Sequence, residues 1–234
     1  MSDLATRGVV MLSNARLSFP HLAEPQKQKK EDGSERISYS AAFLLPPNDP
    51  GFARLMQVVN EMALEKWKEH TPAVLQMIQG DRKKRGFSQG QEHINQKTMR
   101  TYDGYEGMVV ITAGKDRMPQ MIDPQGQGVD PNNTMACQAI ARAMYPGCRV
   151  NVAVKPWMQD NKFGKGIRFD LIAVQFYADD APFGEGVTDA SGLFTPTAAA
   201  PAAAPTWAPP ATGMPTPPQF GAPAPAGLPP FLMK

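Results

Sequence analysis

Half of the chain's 24 prolines fall in its last 40 residues, Thr195 to Lys234, and this asymmetry limits how much of the chain can fold. The same stretch holds eleven alanines and a single charged side chain, Lys234. Proline removes backbone donors that helices and strand ladders use, and so little apolar surface cannot offset the entropy of ordering. The sequence therefore predicts a disordered Pro/Ala-rich tail over residues 185–234. Residues 1–184 form the expected folded body, long enough to bury a core.

Charge narrows the choice of partner. The whole chain carries a net +2, and residues 1–184 hold 23 basic against 20 acidic side chains. That balance excludes a histone-like polycation and leaves room for a local basic groove. The two cysteines, Cys137 and Cys148, stand eleven residues apart without a CxxC spacing. This argues against a disulfide framework or a zinc module and suits a reducing cytoplasm. No apolar run has the length of a signal-peptide core or a membrane span, so a soluble intracellular protein without a membrane partner is expected.

Periodicity places the elements. Residues 9–19 (VVMLSNARLSF) read as a strand ending at Pro20, Gln26 to Arg36 as a mobile charged loop, and residues 37–45 (ISYSAAFLL) as a second strand. Asn48 or Asp49 can cap a helix with Pro50 near its start. Phe52, Leu55, Met56, Val59, Met62 and Ala63 then follow helical spacing towards His70. Residues 79–106 are polar and glycine-punctuated and read mainly as loop. Met108 to Ala113 forms a third strand, Gly114 to Asn133 a long connection and Thr134 to Met144 a short helix. Val150, Val152 and Val154 alternate with polar residues, and Ile167 to Tyr177 is β-rich, so the two make a hairpin with a long tip at residues 159–166. The fold expected is mainly β with one or two helices, an OB-fold-like antiparallel barrel of five strands.

Catalytic patterns are weak. The three histidines make no HxxxH or HExxH pair, and neither Gly-Lys dipeptide has P-loop spacing. GFSQG (86–90) has the form GxSxG, but four cations precede it and the only later histidine, His93, is five residues on. Asp81-Arg82-Lys83 and Asp160-Asn161-Lys162 give a metal nuclease only three-residue matches. No cofactor is expected.

The positive signal is basic residues interleaved with aromatics. One cluster is Arg82, Lys83, Lys84, Arg85 and Phe87, another is Lys97, Arg100, Tyr102 and Tyr105. The third is Lys155, Trp157, Lys162, Phe163, Lys165 and Arg168. Cations neutralise phosphates and exposed rings stack on bases of any identity, the mixture that single-stranded nucleic acid requires. The run Arg82 to Arg85 fits a solvated loop equally well, and Tyr102 and Tyr105 fit core aromatics equally well. Trp157 shares strand parity with Asn151 and Lys155, opposite to the three valines, which favours its exposure.

RLSFPHLAEP (16–25), YSAAFLLPPNDP (39–50), the helix with Lys66 and Trp67, GDRKKR (80–85), YEGMVVITA (105–113), YPGCRVNVAVKPW (145–157), GKGIRFDLIAVQF and APFG (within 164–184) resemble a family of tailed-phage single-stranded DNA-binding proteins. The resemblance implies an OB-fold, a non-enzyme that coats single-stranded DNA without strong sequence preference in phage replication and recombination, and action in the cytoplasm of the infected host. Proteins of this functional class commonly end in an acidic tail, whereas this chain ends GLPPFLMK. Autoinhibition by charge mimicry is therefore not expected, and a flexible tether for replication or recombination proteins is. A recombination mediator working mainly through protein partners and a metal-dependent nuclease are the competing readings.

Overall fold

The computed structural model describes residues 8–29 and 35–184; the tail expected over residues 185–234 lies outside them. Seven strands form one curled sheet: β1 (Val10–Lys29), β2 (Glu35–Leu45), β3 (Phe87–Gln89), β6 (Val109–Lys115), β7 (Gln120–Ile122), β8 (Arg149–Asn161) and β9 (Gly164–Ala178). Their spatial order is β3-β6-β2-β1-β8-β9-β7. The strands β4 (Ile94–Asn95) and β5 (Arg100–Thr101) pair separately as a small hairpin. The helices are α1 (Pro50–Trp67), α2 (Thr71–Gln79), α3 (Arg82–Arg85) and α4 (Thr134–Ala143). None is long and apolar enough to cross a membrane.

The first strand runs past Pro20, to Lys29, because it is bulged. Val10 and Leu12 face the core, and an extra residue near Asn14, whose φ is 55°, resets the parity so that Ala15 and Leu17 face it too. A second irregularity lies between Ser18 and His21, and there Pro20 leaves no ladder bond unmade. The expected loop from Gln26 to Arg36 is largely strand as well: Gln26 to Lys29 pair with Ser38 to Glu35.

The helix α1 begins as its sequence implies. Asp49 caps it by accepting from the Phe52 amide at 3.0 Å, and Pro50 occupies the first turn, where its missing donor costs nothing. Leu55, Val58, Val59, Ala63 and Trp67 are buried against the inner face of the sheet. The final hairpin has alternating Val150, Val152 and Val154 in the core. Its tip is tight rather than long: β8 and β9 stay paired to Asn161 and Gly164, with only Lys162 and Phe163 between them.

The architecture is OB-like without hydrogen-bonded closure. The strands β6 and β9 lie far apart in the sheet order, yet the curl brings them face to face, and Lys115 of β6 pairs with Asp170 of β9 at 3.1 Å. The edge strand β7 runs parallel to β9, a departure from the all-antiparallel expectation. The unclosed seam between β6 and β9 becomes the main concave surface.

Candidate nucleic-acid interface

A cleft of about 1010 Å³ occupies that seam. One wall is formed by Arg36, Ser38 and Ser40 of β2 with Thr112 and Lys115 of β6. The other is formed by Trp157 and Gln159 of β8 with Phe163, Arg168 and Asp170; Arg82, Lys83, Phe87, Ser88 and His93 complete it. Strand parity explains the second wall. Trp157 lies directly across from Arg168 in the hairpin, so the indole and the guanidinium share a face, with Gln159 one step along. Trp157 is 41% exposed and Phe163, at the tip, 76%. Both rings are open to solvent beside cations.

The cation run, expected to be loop, is the one-turn helix α3. Asp81 caps it by accepting from the Lys83 amide at 2.9 Å and also pairs with Lys84 at 3.7 Å. The turn ends at Gly86, whose φ of 67° and whose closeness to the Ile167 carbonyl and the Phe169 ring leave no room for a Cβ. Arg168 Nη1 donates to the Lys83 carbonyl and its Nε to Gln159 at 3.0 Å, tying the helix to the hairpin. Arg82 and Lys83 reach the cleft exposed, whereas Arg85 pairs with Glu92 and is half-buried.

The structure divides the residues that sequence grouped together. Arg82, Lys83, Phe87, Trp157, Phe163 and Arg168 line the seam cleft. Phe87 also packs on Phe52, with ring centroids 6.3 Å apart, so it serves the core and the cleft together. Lys165 has the opposite parity and turns towards α1, pairing with Asp160 at 3.1 Å with its ammonium 5.9 Å from the Trp67 ring centroid. Lys162 lies over the Phe163 ring, Lys84 and Arg85 are held by carboxylates, and Lys155 stands across from Asp170.

Arg100 and Tyr102 lie elsewhere, in a second cleft of about 790 Å³ that also contains Ser18, Phe19 and Phe183. Of the two readings open for Tyr105, an exposed DNA-binding ring and a core aromatic, the structure shows the second. Tyr105 is 1% exposed, and its hydroxyl donates to the buried Ser18 Oγ at 2.8 Å. A phenol can enter a core where a partner satisfies its polar end, and Ser18 is that partner.

Sequence reasoning missed Arg36, Lys115, His93 and Gln159. The cation density around Arg36 was visible, but the pairing that aims it at the seam is not local. Gln159 follows from extending the Trp157 parity two residues beyond the expected end of the strand.

The GxSxG match leads to no nucleophile elbow. Ser88 sits inside strand β3, paired with Val110, and is buried. It shares a 2.7 Å hydrogen bond with His93 Nε2, while the neighbouring Glu92 is spent on Arg85 and the Gln89 amide. Burial, then the Arg82 charge, holds the His93 pKa below its ordinary value. The acidic halves of the acid-x-Lys elements are committed too: Asp81 caps α3, and Asp160 accepts from Lys165 and from Trp67 Nε1. Both cysteines are free and buried, and burial pushes the Cys148 thiol to about 11, which keeps it protonated and inert.

A family model described as Enterobacter phage Enc34, ssDNA-binding protein, matches residues 8–202. Among solved structures, the chain is similar to the single-stranded DNA-binding protein from bacteriophage Enc34 in complex with ssDNA. The two are 26% identical with a TM-score of 0.55, over 76% of this chain and 90% of that one. A second structure of the single-stranded DNA-binding protein from bacteriophage Enc34 is also 26% identical, with a TM-score of 0.52 over 80% and 90% of the two chains. No curated protein sequence matches the chain.

Proposed function

The chain belongs to the family of the Enterobacter phage Enc34 single-stranded DNA-binding protein, and on that premise we propose that it binds single-stranded DNA, without base preference, in the seam cleft. The carrying observation is the lining of that cleft. Exposed Arg36, Arg82 and Lys83 stand beside Arg168 and Lys115, with the open rings of Trp157 and Phe163 on the same surface. Guanidinium and ammonium groups neutralise a backbone whose charge does not vary with sequence, and ring stacking accepts every base. The Enc34 protein described in complex with ssDNA supports this ligand class.

The protein acts as a binding module rather than an enzyme, coating strands exposed during phage replication and recombination in the host cytoplasm. Residues 185–234 recruit replication or recombination proteins. A gel shift with a labelled oligonucleotide, with and without divalent metal, tests the proposal. A retarded, intact strand under both conditions is expected. A shortened strand would make the protein a nuclease, and the absence of any shift would remove DNA as its ligand.

A further inference from the structure

The second cleft has no part in the reading above, and its chemistry is distinct from the seam. Segments far apart in sequence meet there: Phe19 of β1, Arg100 of β5, Tyr102, and Phe183 near the end of the described residues. Phe19 and Tyr102 meet edge to face with centroids 5.4 Å apart, and Phe19 is still 51% exposed. Its backbone holds a φ of 47°, a conformation a bulky side chain adopts only when its surroundings impose it. Exposed Arg100 stands at the same cleft, and Asn95 and Thr98 add side-chain donors and acceptors.

We propose that this cleft is a second base-binding subsite for the same DNA strand, so that the strand crosses the β4–β5 hairpin from one cleft to the other. The inference rests on the reading of the seam cleft. Three observations favour a nucleotide as the occupant. Aromatic rings beside amide and hydroxyl groups offer a splayed base a stacking surface and edge contacts together. Arg100, set against the exposed Asp103 carboxylate that lines the same cleft, offers one cation to the phosphate that accompanies each base. The two clefts also share a wall: His93 lines the seam, and its ring lies 5.2 Å from that of Tyr105, which lines the second cleft.

Anisotropy titrations with homopolymer oligonucleotides of graded length test this. The full chain is compared with Phe19→Ala, Arg100→Ala and Trp157→Ala, each first checked for an unchanged melting temperature. The short oligonucleotides, which fill only the seam, should bind the full chain and Phe19→Ala alike. Longer ones should gain affinity on the full chain and lose that gain, about fivefold or more, in both Phe19→Ala and Arg100→Ala. A 5-iodouracil placed at the strand end should crosslink to Tyr102 only in the long oligonucleotides. Wild-type affinity of both variants at every length, with no crosslink, would overturn the subsite and leave the cleft to a protein segment. Loss of binding in Phe19→Ala with none in Trp157→Ala would instead sink the seam reading and keep the second cleft. A full chain that binds no length at all would remove both.

Discussion

Trp157 and Trp67 show how one residue type takes two roles by position. Trp157 projects from β8 into the seam with its ring open, whereas Trp67 ends α1 in the core with Nε1 donating to Asp160 at 3.2 Å. Trp157→Ala should therefore weaken single-strand binding about tenfold or more and leave the melting temperature nearly unchanged, as paired anisotropy and thermal melts will show. Trp67→Ala should do the reverse, costing about 3–5 kcal/mol of stability with affinity per folded molecule retained. His93 supplies a pH signature. Its folded pKa lies below its unfolded one, so between the two values the unfolded chain binds more protons and stability falls as pH drops below about 6.5. Denaturant titrations of His93→Gln should show a flatter acid-side dependence than the parent. The exposure of Trp157 was legible in the sequence because period two is a local property of a strand. The burial of Tyr105 was not, because residues 79–106 show no period and its partner Ser18 lies 87 positions away.

Among the elements, α3 was concealed by the sequence, as were α2, the short strands β3, β4 and β5 within the expected loop, and β7 within the expected connection. A single turn of four cations cannot display a 3.6-residue repeat, and four adjacent charges look like solvated loop. What makes it a helix is flanking chemistry: the Asp81 cap before it, Gly86 after it, and the Arg168 guanidinium bonded to the Lys83 carbonyl. Gly86→Ala should consequently be destabilising, since a Cβ there lies 2.9 Å from the Ile167 carbonyl oxygen at a φ that disfavours any side chain. It should also weaken DNA binding beyond the loss of folded protein, because the turn aims Arg82 and Lys83 into the cleft. A chemical melt together with an affinity measurement at matched folded concentration separates the two effects. The long helix α1, by contrast, was readable in its cap, its proline and its apolar stripe, all within one window, although it ends at Trp67 rather than near His70 and Pro72 opens α2 instead of stopping α1.

At the scale of the whole molecule, a net charge of only +2 means that affinity must come from local concentration of cations rather than from the overall field. Five cations line the seam cleft, of which Lys115 is paired with Asp170 and both Arg82 and Arg168 are bonded to protein groups. Two to five phosphates neutralised there give a log–log salt slope of about −1.4 to −3.5 for a single strand. Titrations at stepped salt should fall in that range, and salt-independent affinity would contradict an electrostatic cleft. The central parts of β1, β2, β6, β8 and β9, the main helix, the hairpin and the outward face of Trp157 were determined by the sequence alone, because periods of 2 and 3.6 are set by neighbours a few residues apart. Only the tertiary structure decided that the curl of the sheet leaves β6 and β9 unjoined, that Arg36, Arg82, Lys115 and Arg168 meet in the gap, and that Lys165, Arg100 and Tyr105 do not. Those outcomes depend on strand register and bulges linking residues more than a hundred positions apart, and no local pattern in the chain carries that information.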